Sequence, residues 1–106
     1  MKLVLFLKQI VPPLIWNTIK KFKRKKKYFG LNNLDFKLKK YLDYNNGFFI
    51  ELGANDGISQ SNTYYFEKNN KWHGILIEPI LHKYVDCKKN RSIKNNFYCN
   101  ACVSFE

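Results

Sequence analysis

No stretch of this chain approaches the roughly twenty consecutive apolar residues that a membrane-spanning helix needs. An apolar run at residues 3–7 follows Lys2 in the manner of a secretory signal, but Lys8 and Gln9 break it. No small-residue cleavage site follows. Cysteine is sparse and odd in number (Cys87, Cys99, Cys102), which speaks against a disulfide framework and for a reducing, cytoplasmic setting. Acidic residues are few: eight Asp and Glu face nineteen Lys and Arg, a formal net charge of +11. Also missing is the middle glycine of a dinucleotide-binding G-x-G-x-x-G turn, although Gly53 and Gly57 are in place.

The excess positive charge is confined to one end. Residues 1–46 carry twelve Lys and Arg against Asp35 and Asp43, a net of +10, so residues 47–106 carry +1 of the total +11. The basic character thus belongs to an N-terminal leader, residues 1–29, rather than to the whole chain. Pro12 and Pro13 hinge that leader. Beyond them Ile15, Ile19 and Phe22 share one side, while Lys20, Lys21, Lys23, Arg24, Lys25, Lys26 and Lys27 fill the other side and the tail. A basic amphipathic helix of this kind fits an anionic membrane surface. Two other readings are a solvated helix packed on its own domain and a phosphate-neutralising nucleic-acid arm. The aromatics stand in the apolar stripe rather than among the lysines, so nucleic acid is not expected as a partner.

The chain is organised around residues 48–57. Phe48, Phe49, Ile50 and Leu52 form a short apolar run rich in β-formers, as expected of a strand buried on both faces of a parallel sheet. It runs into Gly53-Ala54-Asn55-Asp56-Gly57, where the two glycines permit a sharp turn and leave room for a ligand. Ser59 or Ser61 is placed to cap a helix through Tyr64, Tyr65 and Phe66 to about Asn69. A second strand follows at Gly74-Ile75-Leu76-Ile77, and Glu78 at its tip can accept both hydroxyls of a ribose.

Upstream, Leu31, Leu34, Leu38, Tyr41 and Leu42 predict a helix with one apolar face, capped by Asn32 or Asn33. Downstream, residues 80–91 predict a helix turning Leu81, Tyr84 and Val85 inward, and residues 97–99 a third strand. This order defines an α/β fold: three parallel strands with flanking helices, preceded by the basic leader.

Charge separates the cofactor classes. Glu51 and Asp56 flank the turn, and one carboxylate about 5 Å from a phosphate costs roughly 3 kcal/mol at an effective dielectric near 20. A cationic nucleoside reverses that sign, and S-adenosylmethionine carries a sulfonium, an ammonium and a ribose but no phosphate.

Residues 47–68, together with Trp72-His73-Gly74-Ile75-Leu76-Ile77-Glu78-Pro79 and Asn100-Ala101-Cys102-Val103-Ser104, resemble the FkbM family of S-adenosylmethionine-dependent methyltransferases. The resemblance runs from about residue 30 to the end. It implies a class I (Rossmann-like) methyltransferase domain, here its N-terminal part, and O-methylation, often of sugar hydroxyls in surface glycans. In that setting Glu51 orients the loop and the cofactor's ammonium. The backbone at Gly53, Ala54 and Gly57 approaches the methionyl part, and Asn55 or Asp56 supplies polar contacts. Glu78 holds the ribose, and the small Ala101 lies against the adenine edge.

Methyl transfer to an alcohol needs a positioned acceptor and a general base, and no residue suggests itself as that base. His73 reads as a loop residue. The expectation is therefore the front of a longer enzyme, weakly active or inactive by itself. Cys99 and Cys102 with His82 and Cys87 could compose a zinc site on paper, but their spacing is irregular and no metal is expected. A non-enzymatic alternative is a basic membrane- or nucleic-acid-associating module that retains a relic βαβ unit.

Overall fold

A computed structural model describes residues 26–104. Most of the leader, residues 1–25, and the last two residues lie outside that range, so the basic amphipathic helix expected in the leader lies largely outside it too. Six elements follow a short 3-10 turn at Leu31–Asn33: α1 (Leu34–Leu42), β1 (Phe48–Leu52), α2 (Tyr64–Asn70), β2 (His73–Ile77), α3 (Leu81–Asn90) and β3 (Asn96–Tyr98). The strands form one parallel sheet in the order β1-β2-β3. No described helix is long and apolar enough to cross a membrane.

The sheet register sorts every strand residue onto one of two faces, because side chains alternate along a strand. Phe49 pairs with Gly74, Glu51 with Leu76, and Leu76 with Phe97, so these residues share a face. That face is covered. Phe49 and Leu76 join Tyr65 and Phe66 from α2, Cys87 from α3, Trp72 and Ala54 in a single buried cluster, with Leu38 and Leu42 of α1 packed against it. The opposite face carries Phe48, Ile50, Leu52 and Tyr98, all exposed. The expectation of a strand buried on both faces is thus corrected: all three helices among the described residues stack on one side.

Two helices are turned differently from their apolar spacing. In α1 the inward positions are Asp35, Leu38 and Leu42, while Leu34 and Tyr41 are exposed, as is Leu31 before the helix. Asp35 is fully buried because its carboxylate has work inside: Oδ2 accepts the Phe29 N–H at 2.6 Å and Oδ1 the Phe36 N–H at 3.0 Å. Asn33 occupies the cap position in a left-handed conformation and makes no capping bond with its side chain. In α3, Leu81 and Val85 face outward, and the inward arc is Tyr84, Cys87 and Arg91, spaced three and four apart. The third strand lies one residue earlier than expected, leaving Cys99 outside it.

Candidate functional site at the carboxyl ends of the strands

Parallel pairing of Leu52 with Ile77 brings the ends of β1 and β2 together, so the glycine turn and Glu78 emerge side by side. The turn is tied to β2 by its backbone: the Ala54 N–H donates to the Ile77 carbonyl at 2.9 Å. The Asn55 N–H donates to Glu78 Oε2 at 2.7 Å, and the Ile80 N–H to Oε1 at 3.3 Å. Each Glu78 oxygen therefore accepts one backbone bond and keeps acceptor capacity for another. Glu78 is only 5% exposed, and among the described residues it has no ion-pair partner.

The two glycines of the turn do different things. Both have positive φ, +68° at Gly53 and +87° at Gly57, which glycine adopts without strain. A Cβ at Gly53 would meet nothing within 4 Å, so the backbone there is open to a ligand. A Cβ at Gly57 would lie 2.8 Å from Arg91 Cγ and 3.1 Å from Cys87 Sγ. Gly57 is a packing position against α3, and Gly53 is the open one. Asn55 is also left-handed, at φ +55°, a conformation asparagine tolerates.

The carboxylates divide in the same way. Glu51 lies on the covered face and turns inward. It accepts from Ser61 Oγ, from the Asn62 N–H at 3.1 Å and from Thr63 Oγ1 at 2.6 Å, and pairs with Arg91 Nη1 at 3.3 Å. It fixes the loop leading into α2, whose first turn is capped by Ser61 Oγ accepting the Thr63 and Tyr64 N–H groups. Asp56 accepts from the Ile58 and Ser59 N–H groups and from Ser59 Oγ. Partial burial raises its pKa, but the bonds from Ser59 and Ile58 outweigh that and leave it below the usual carboxylate value. Ala54 is buried in the core cluster, and Ala101 is exposed beyond β3, outside any element. Glu78, Gly53, Ala54, Asn55 and Asp56 are thus gathered at the strand ends, and Glu51 and Gly57 stand behind them.

Arg91 is the residue that sequence reasoning missed. Its side chain is wholly buried and makes five polar contacts. Nε pairs with Glu67 at 3.1 Å; Nη1 reaches Glu51, the Gly57 carbonyl at 3.0 Å and Ser61; Nη2 reaches Thr63. The guanidinium also lies over the rings of Phe49 and Tyr64. Glu67 extends the network to the Ser92 N–H and to the Asn95 side chain, whose Oδ1 accepts the Gly74 N–H at 2.8 Å. One signal was available: residues 47–106 contain many lysines and a single arginine, and a planar five-donor fork suits a buried multidentate role that lysine cannot fill.

Neutralisation by Arg91 changes which charges define the site. Glu51 shares the Arg91 cation with Glu67, and among the described residues the carboxylates at the strand ends that form no ion pair are Glu78 and Asp56. Among the described residues there is no cluster of three or more His, Cys, Asp or Glu suited to a metal; Cys87 is buried, and Cys99 and Cys102 are exposed free thiols. Compared with family profiles, curated proteins and solved structures, the chain matches none. Its class rests on its own architecture: an α/β unit with a three-stranded parallel sheet and helices packed on it, compatible with a Rossmann-like unit.

Proposed function

We propose that the chain is the cofactor-binding part of an S-adenosylmethionine-dependent methyltransferase that acts on a hydroxyl of a sugar or glycan. The observation that carries this reading is Glu78: a carboxylate at the tip of β2, without an ion-pair partner among the described residues, beside an open glycine turn at the tip of β1. Parallel sheets bind nucleosides at that edge. Gly53 and Asn55 would border the ligand, and the remaining acceptor capacity of Glu78 suits ribose hydroxyls. Asp56 adds negative charge that favours a cationic ligand over a phosphorylated one. When bound, the cofactor supplies an electrophilic methyl group. The acceptor class comes from the resemblance to the FkbM family.

Glu51 and Arg91 act one step away, since they set the path of the loop from the turn into α2 rather than offering free groups to a ligand. Titration calorimetry of the chain with S-adenosylhomocysteine tests the reading. Binding is expected, with at least a tenfold loss in Glu78→Ala and no competition from ATP or NAD. Absence of binding by the folded chain, or tighter binding of a pyrophosphate nucleotide, overturns it and favours a non-enzymatic module.

A further inference from the structure

The outward side of α1 has a composition that its role in the core does not explain. Asp35, Leu38 and Leu42 point inward, so the arc away from the sheet presents Phe36, Lys37, Lys40, Tyr41 and Leu34. Phe36 is 55% exposed and Tyr41 72% exposed. Lys37, Lys39 and Lys40 border the same surface, which forms a groove of about 550 Å³ with Phe36, Tyr41 and Asp43. Lys39 leans toward the Tyr65 ring, 5.9 Å from its centroid, and the Tyr65 side chain raises its pKa.

The end of the basic run meets this surface. Tyr28 packs edge-on against Phe36, with ring centroids 5.0 Å apart, and stacks on Tyr65 at the same distance. Lys26 and Lys27 lie over the rings of Phe29 and Tyr28. Lys26 and Lys27, the last two of the seven Lys and Arg between residues 20 and 27, therefore reach the rim of α1.

We propose that the outward face of α1, with Lys26 and Lys27 at its rim, is a docking surface for an anionic lipid bilayer. Helices that lie on membranes combine protruding aromatic and aliphatic side chains with lysines on the same arc, so that rings enter the headgroup layer while ammonium groups meet lipid phosphates. The charge on this arc is of the required sign: the acid nearest its centre in sequence, Asp35, points inward and is spent on backbone bonds, leaving Asp43 at one end. Nucleic acid fits less well. Phe36 is already engaged edge-on by Tyr28, and Tyr41 has Lys40 over its ring, so neither offers a free platform for a base. The inference does not depend on the cofactor reading.

The test is cosedimentation of the full chain with phosphatidylcholine vesicles, with and without phosphatidylserine, over a salt series. Binding is expected only to the anionic vesicles and is expected to fall with salt. Each lysine near such a surface contributes about fivefold, so Lys37→Gln/Lys40→Gln should weaken binding roughly 25-fold with the leader intact. Tyr41→Ser should weaken it roughly threefold. A matched removal of charge on α3, Lys88→Gln/Lys89→Gln, should change it far less. All five positions are exposed, so the melting temperatures should match wild type. Equal binding to neutral vesicles, wild-type binding by the α1 double variant, an equal loss in the α3 double variant, or tighter binding of an RNA or DNA oligonucleotide at the same salt would each overturn the proposal.

Discussion

Phe49 and Ile50 are chain neighbours on β1, equally apolar and equally suited to a strand, yet one is 6% exposed and the other 61%. The difference is set by the register, which sends Phe49 to the face where α1, α2 and α3 converge and Ile50 to the bare face. The two faces also handle polar groups differently. The covered face takes in a charged cluster, Arg91 with Glu51 and Glu67, and satisfies it with hydroxyls and backbone groups; the bare face carries Phe48, Ile50, Leu52 and Tyr98 into solvent. Hydrophobicity alone therefore does not say which residues hold this unit together. Position on the pleat does.

That contrast breaks most directly at the two neighbours themselves. Phe49→Ala removes a ring from the buried cluster and a surface under the Arg91 guanidinium, and should cost about 4 kcal/mol of unfolding free energy. Ile50→Ala removes a half-solvated side chain and should cost less than about 1 kcal/mol. Urea denaturation of both variants measures the gap, and comparable losses would mean that the bare face is buried in solution. Next in size is the charged cluster. Arg91→Met keeps the bulk of the stem but leaves Glu51 and Glu67 without their cation in a buried setting, which should cost about 3 kcal/mol. A variant as stable as wild type would show the cluster to be solvated rather than buried.

A smaller effect lies in the same layer. Burial pushes the Cys87 thiol up to about 11 from an ordinary 9.0, with Arg91 pulling the other way. The folded chain thus holds this proton to higher pH than the unfolded chain does. Its contribution is fully present below pH 9 and is lost as pH rises from 9 toward 11, amounting to about 2 kcal/mol. Wild type should lose that much more stability than Cys87→Ala over this window. At neutral pH iodoacetamide should modify Cys99 and Cys102 and spare Cys87.

Much of this arrangement is legible in the chain itself, and the illegible part has a common cause. The strand at Phe48–Leu52, the turn at Gly53 and Gly57, the cap at Ser61, and Glu78 at the end of β2 follow from local patterns: β-forming runs, paired glycines, a hydroxyl before a helix. Periodicity misled where a polar residue is bonded well enough to be buried. Asp35 takes an inward position from Leu34 and Tyr41 because it satisfies two backbone N–H groups, and Arg91 takes one because five acceptors and two rings surround it. Counting apolar residues along a helix has no access to such partners, some of which come from as far as 40 residues away. The bare face was illegible for another reason. A run such as Phe-Phe-Ile does not record how many layers stack upon it.

A small expected effect on stability is also the one that bears most on function. Gly53 and Gly57 share positive φ, so an alanine at either carries a backbone penalty of about 1–2 kcal/mol. Gly57→Ala adds a clash with Arg91 and Cys87, whereas the Cβ of Gly53→Ala would stand in open space. On stability alone Gly53→Ala should therefore lose only the backbone penalty, about 1 kcal/mol. If a nucleoside lies over this turn as Glu78 suggests, the new methyl occupies the path of its approach. Affinity for S-adenosylhomocysteine should then fall at least tenfold in a protein that still melts as one cooperative unit. Wild-type affinity in that variant would place the ligand elsewhere along the strand ends, and Glu78 would be left as a brace for the turn alone.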